Sequence, residues 1–273
     1  MNKLLSLCPQ GQKLKTSLAV HETATIPPLC LRGASAGPTL VVTTGMHDCE
    51  FVRAEDDRLL FRRAGSGGAA RQPDRAAIGQ SLGILRRSQA GSAAGRQKPE
   101  PFFPGSPDGT LSQQLAYVVE QQIYPGVDFL IDLHGDDINE DLTPLVLFPA
   151  AAQPEVSARS REAACRLPAP YRVRSSAKNS LYGWAAQCGM PTILLELGVL
   201  GRWAPELIRR CRESLHNLMD FLGMTSVRRR STPHSAKAGA PSTTNRPPTV
   251  SGSQRSKLAM LSLPARVSAR SAT

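Results

Sequence analysis

Apolar residues along this chain gather in short unbroken runs, and the runs alternate with segments whose apolar positions recur at helical spacing. Residues 38–45 carry Thr-Leu-Val-Val-Thr-Thr between Pro38 and Gly45, a β-branched run that predicts a buried strand. Residues 127–134 (Val-Asp-Phe-Leu-Ile-Asp-Leu-His), 142–149 and 192–198 (Thr-Ile-Leu-Leu-Glu-Leu-Gly) predict three more. Helices are expected over about 50–63, over a segment with apolar Leu111, Leu115, Val118, Val119 and Ile123 that stops at Pro125-Gly126, and over 154–166 and 181–188. The clearest helix opens at Pro205, carries Leu207, Ile208, Cys211, Leu215, Leu218, Met219 and Leu222, and closes at Gly223. Continuous apolar strands alternating with amphipathic helices predict an α/β fold: a mostly parallel, mixed sheet with helices on both faces. Neither G-x-G-x-x-G nor G-x-x-x-x-G-K-[ST] occurs, so dinucleotide and P-loop chemistry have no support.

Charge divides the chain differently. Its 273 residues with 41% hydrophobic content suffice for one core, or one core and a small satellite, and the net charge of +11 invites a nucleic-acid reading. Yet residues 225–273 hold nine Lys and Arg and no acid, and residues 64–98 hold six against Asp74 alone, so the remainder is mildly acidic. Both basic stretches are rich in Ser, Gly, Ala, Pro and Gln and lack an apolar period, a composition that cannot offset its ordering entropy by burial. Residues 1–224 are therefore expected to form the folded unit, with 64–98 irregular, and 225–273 a basic disordered tail. Without aromatic interleaving or a recognition helix the tail predicts no specific nucleic-acid partner. No apolar run reaches the ~18 residues of a membrane span, and the N-terminal apolar stretch is too short for a signal-peptide core, so a cytoplasmic location is expected. The six cysteines form no C-x-x-C pair and read as reduced thiols.

The chemistry sits where strands end. The first strand runs into Gly45-Met46-His47-Asp48-Cys49-Glu50, the second closes on Asp132-Leu133-His134-Gly135, and the third contains Glu196. In an open parallel sheet ligands bind beyond the carboxyl ends of the strands, where such groups can converge from distant parts of the sequence. His47, Glu50 and His134 make a His2Glu set, the catalytic-zinc arrangement with an open fourth position. Glu196, a carboxylate in an apolar strand, is the type of group that takes a proton from metal-bound water and returns it to a leaving amine. Singly each has a plainer reading: strand-end imidazole, helix first-turn acid, buried hydrogen-bonded histidine, ion-paired glutamate.

The ordered motifs Thr-Leu-Val-Val-Thr-Thr-Gly-Met-His-Asp-Cys-Glu, Phe-Phe-Pro-Gly-Ser-Pro-Asp-Gly-Thr, Phe-Leu-Ile-Asp-Leu-His-Gly and Thr-Ile-Leu-Leu-Glu-Leu-Gly-Val-Leu-Gly-Arg-Trp resemble the succinylglutamate desuccinylase/aspartoacylase family of the zinc carboxypeptidase clan, over roughly residues 38–63 and 102–224. The resemblance implies one Zn2+ per chain on His47, Glu50 and His134, Glu196 as the catalytic residue, and a small acylated amino acid or ester as substrate. It also marks departures. Asp48 stands where the family has Gly, and Glu100 and Pro101 stand where it has an Asn-Arg pair gripping the substrate carboxylate, a task that needs a bidentate guanidinium. Residues 64–98 and 225–273 lose the resemblance abruptly, as divergent or out-of-frame sequence would, and the family's C-terminal β domain is expected to be missing. Two functions follow as expectations: a zinc-dependent deacylase or amidase impaired by loss of its clamp, or an inactive remnant whose basic tail binds nucleic acid or acidic surfaces non-specifically.

Overall fold

A computed structural model of the protein describes residues 3–22, 24–44, 77–80, 103–135, 141–198 and 205–225. The N-terminal part contributes helix α1 (Lys3–Leu7) and strands β1 (Lys13–Lys15), β2 (Leu18–His21), β3 (Ala24–Ile26) and β4 (Pro28–Leu31). Strands β5 (Leu40–Thr44) and β6 (Ala77–Gln80) follow, then helix α2 (Leu111–Val118), which continues as one π-helical turn over Val119–Ile123. The remainder is β7 (Phe129–His134), β8 (Leu145–Pro149), α3 (Pro154–Ala164), β9 (Tyr171–Ser175), α4 (Leu181–Gln187), β10 (Thr192–Glu196) and α5 (Pro205–Phe221).

Eight of these strands make one sheet in the order β1-β4-β6-β5-β7-β10-β8-β9, and β2 pairs with β3 alone. Its centre, β6-β5-β7-β10, is parallel throughout, and antiparallel pairings flank it at β4-β6 and β10-β8. Every residue of β5, β7 and β10 is buried. Strand alternation divides them between two clusters. Val41, Leu130 and Leu194 pack with Leu4 and Leu5 of α1, Leu115 and Val118 of α2, and Leu181, Tyr182 and Ala185 of α4. Leu40, Val42, Phe129, Ile131, Ile193 and Leu195 pack with Ala163 and Ala164 of α3 and with Cys211, Leu215 and Leu218 of α5. A one-residue slip of β7 or β10 would exchange these faces and carry their polar residues to the wrong side, so the register that builds the core also sets the site.

Local signals fix the helix starts. Thr110 caps α2 with its hydroxyl on the Gln113 amide, and Gln113 Oε1 accepts from the Thr110 N–H at 2.9 Å, a reciprocal capping box. Ser180 Oγ accepts from the Gly183 N–H at 3.2 Å to open α4, and Gly189 ends that helix region at φ 87°, a left-handed conformation that favours glycine.

The sheet is α/β, mostly parallel in its centre and covered on both faces, as expected. It is also wider than the periodicity implied. Three- and four-residue strands such as β1 to β4 are too short to show a period. Strand β9, Tyr-Arg-Val-Arg-Ser, is a largely exposed sheet edge whose Arg172 reaches back to the carbonyls of Ala164 and Leu167 at 3.0 and 2.9 Å. The expectation that 64–98 is irregular needs correction at Ala77–Gln80, which form β6 between β4 and β5. Backbone pairing on both sides holds this strand, so no apolar pattern was needed to specify it. The rest of 64–98, the helix expected over 50–63 and the tail from 226 onward lie outside the described residues. Among the described residues no helix is long and apolar enough to cross a membrane.

Candidate active site

Strands β7 and β10 run side by side and parallel, in a register that pairs Asp132 with Leu194 and His134 with Glu196. An imidazole and a carboxylate therefore face one another at the carboxyl ends of two central strands, on the side covered by α2 and α4. The Leu197 N–H donates to the His134 carbonyl at 2.9 Å and carries the ladder one step past the pair. Both side chains are withdrawn from solvent, with His134 8% and Glu196 4% exposed.

Two further residues belong to this face. Asp132, 2% exposed, lies two positions before His134 in the same strand, and strand alternation brings the two side chains together: Asp132 Oδ2 is at ion-pair distance, 3.1 Å, from His134 Nε2. Across the next pairing Thr43 of β5 stands opposite Asp132, and its hydroxyl donates to Asp132 Oδ1 at 2.6 Å. Burying a carboxylate is costly unless it is hydrogen-bonded and faces positive or polar groups, and Asp132 meets that condition with a different partner on each oxygen.

The acidic character of the face is felt by its neighbours. Burial pushes the Tyr182 phenol up to about 12, against its short hydrogen bond to Ser175 and with help from the charges of Asp132 and Glu196. The Tyr124 phenol is likewise held neutral, by burial first and then by Asp132, Cys188 and Glu120, while its hydroxyl donates to the Leu181 carbonyl at 2.7 Å. Two carboxylates and one imidazole on a buried face form a surrounding in which a bound cation is favoured over added negative charge.

Of the residues the sequence singles out, His134 and Glu196 are brought together. His47 and Glu50 lie outside the described residues, three and six positions beyond Thr44, where β5 ends opposite Leu133. Glu100 and Pro101 also lie outside them. Among the described residues no three His, Cys, Asp or Glu side chains are grouped as a metal site. Sequence reasoning gave Asp132 and Thr43 no role. The available signal was the period of the strand, which places an acid two residues before a strand-end histidine on the histidine's own face.

Residues 102–222 match the succinylglutamate desuccinylase/aspartoacylase catalytic domain. That segment, less than half of the chain, is similar to the desuccinylase/aspartoacylase family. It contains α2 to α5 and β7 to β10, and with them Asp132, His134 and Glu196. The N-alpha-acetyl-L-2,4-diaminobutyric acid deacetylase of Halomonas elongata is 24% identical over 223 residues, covering 74% of this chain and 59% of its own length. The chain thus spans well under two thirds of that deacetylase. Among solved structures, the succinylglutamate desuccinylase/aspartoacylase of Rhodobacter sphaeroides superposes with a TM-score of 0.60 at 23% identity, over 79% of this chain and 67% of its own. The product-bound ectoine utilization protein EutE of Ruegeria pomeroyi gives 0.58 at 23% identity, over 74% and 62%. These superpositions cover more of the chain than the matched domain and show a shared fold.

Proposed function

We propose that this desuccinylase/aspartoacylase-type chain is a zinc-dependent hydrolase that cleaves the acyl bond of an N-acyl amino acid or a related ester. The observation that carries the reading is the His134–Glu196 pair: a buried imidazole and a buried carboxylate in register at the carboxyl ends of adjacent parallel strands, where open α/β sheets bind ligands. The donor chemistry fits zinc. An imidazole flanked by a carboxylate is a common zinc ligand, and His134 with His47 and Glu50 would hold one ion. Bound there, zinc would acidify a water molecule and polarise the acyl carbonyl.

The protein's own groups do the rest. Glu196 accepts the proton of the attacking water and returns it to the departing amine or alkoxide, a shuttle its position beside His134 supports. Leu145 and Leu147 of β8 flank Glu196 and Leu194 on the side away from His134, so the carboxylate works against an apolar wall. The tyrosines stay protonated at neutral pH and add no competing charge.

The substrate class follows from the family and from the diaminobutyric acid deacetylase named above. Glu100 and Pro101 provide no guanidinium for a substrate carboxylate, so small acidic substrates are expected to bind weakly and a positively charged amino acid better. The test is hydrolysis of a panel of N-acyl amino acids and simple esters, with and without chelator. Chelator-sensitive hydrolysis supports the reading, and chelator-insensitive hydrolysis overturns it.

A further inference from the structure

The row of the sheet that holds His134 and Glu196 does not stop at that pair. Glu196 is also in register with Leu145 of β8, and Leu145 with Tyr171 of β9, so His134, Glu196, Leu145 and Tyr171 stand side by side across four strands. Directly paired residues project to the same face of a sheet, so Leu145 and Tyr171 share the face of the imidazole and the carboxylate. The next row agrees: it runs Asp132, Leu194, Leu147, Val173, and Leu145 and Val173 both pack on the cluster built with α2 and α4. The cations of β9 lie on the other face, where Arg172 reaches the carbonyls of Ala164 and Leu167 and Arg174 follows it at the strand period.

Exposure rises along the row. Glu196 is 4% exposed, Leu145 half-buried and Tyr171 45% exposed, a large aromatic side chain left open at the sheet edge. Strands about 4.8 Å apart put the backbones of Glu196 and Tyr171 about 10 Å from one another, within reach of a small substrate that lies across Leu145.

We propose that Leu145 and Tyr171 form a shelf that binds the side chain of the leaving amino acid, and that Tyr171 is a specificity-determining residue for a long side chain ending in a cation, such as that of lysine. The inference rests on the reading of Glu196 as the group that returns a proton to the departing amine. That role places the leaving nitrogen beside Glu196, and its substituents extend away from His134, over Leu145 towards Tyr171. The hydrocarbon stem then packs on Leu145, and the ammonium group meets the Tyr171 ring. An aromatic ring attracts a cation through its face, and the charges already on this face are the carboxylates of Asp132 and Glu196. A glycine in the same position touches neither Leu145 nor Tyr171.

The experiment measures kcat/KM of the Zn2+-supplied full chain for Nα-acetyl-lysine and for N-acetylglycine, and takes their ratio. Wild type should prefer the lysine compound. In Tyr171→Ala the ratio should fall about 5- to 10-fold, through KM, whereas Tyr171→Phe, which keeps the ring, should retain it. Arg174→Ala, on the same edge strand but the opposite face, should also retain it. A wild type without preference, a ratio unchanged in Tyr171→Ala, or an equal fall in Arg174→Ala would overturn the proposal. If the wild type cleaves neither compound, the hydrolase reading falls, and saturation-transfer NMR with Nα-acetyl-lysine decides the shelf separately. Transfer seen in wild type and lost in Tyr171→Ala supports it, and transfer equal in both or absent from wild type overturns it.

Discussion

His134 and Glu196 face one another across β7 and β10, the last residues of two parallel strands that the sequence separates by β8, α3, β9 and α4. Parallel neighbours require a crossover, so this separation is a consequence of the architecture. What makes the pair chemically useful is that the register placing Ile131 beside Ile193 in one core also places the imidazole beside the carboxylate on the other face.

The assignment of Glu196 as proton shuttle makes a kinetic expectation. Glu196→Gln keeps size and hydrogen-bonding capacity but cannot take a proton, so kcat should fall about 10²- to 10⁴-fold. Zinc content and thermal midpoint should stay near wild type. Loss of zinc together with activity would make Glu196 a ligand or a structural residue instead.

Tyr182 should contribute through its hydroxyl. Its short hydrogen bond to Ser175, 2.6 Å and buried, leaves a buried hydroxyl without its donor in Tyr182→Phe, which should cost about 1–2 kcal/mol in urea unfolding. Adding Ser175→Ala should cost less than the sum of the two single changes, since both polar partners are then gone.

Alkaline pH should weaken the fold. Cys30 is pushed from 9.0 to about 11 by burial and then by Cys8, and Tyr182 from 10.0 to about 12. Between pH 9 and 12 the unfolded chain has released protons that the folded chain still holds, so stability falls as pH rises. Below pH 9 these two groups add no slope. Urea midpoints measured from pH 7.5 to 10.5 should decline at the upper end, and less steeply in Cys30→Ala and Tyr182→Phe. An unchanged slope in both variants would assign the decline to other groups.

The thiols should separate by burial. Cys165 and Cys188 are exposed, whereas Cys8, Cys30 and Cys211 are buried. Burial also raises Cys8, Cys30 and Cys188, which lowers their thiolate fraction at neutral pH. Brief alkylation at pH 7.5 followed by peptide mass mapping should find, among the described cysteines, Cys165 modified first and Cys30 only after denaturation. Early labelling of Cys30 would mean that α1 and β4 open readily.

Much of this was legible in the sequence because strong patterns coincide with strong constraints. The runs at 38–45, 127–134 and 192–198 are strands buried on both faces, where a titratable side chain is costly unless it is used, so His134 and Glu196 stand out. Pro205 and Gly223 punctuate α5 as expected. What the sequence hid has physical causes. The strands β1 to β4 and β6 are specified by pairing and not by composition, and β9 is a largely exposed edge. The bond from Thr43 to Asp132 depends on which strands are neighbours, and no local pattern encodes the placement of β5 beside β7.

The most direct test of the account is amine release from a panel of N-acyl amino acids, N-acetyl-2,4-diaminobutyrate included, by the full chain stripped of metal and then restored with one equivalent of Zn2+. The account predicts release that appears only on zinc restoration and is nearly abolished in Glu196→Gln. Release that persists in the stripped protein or in Glu196→Gln, or a zinc-restored chain that cleaves none of the panel, would contradict it.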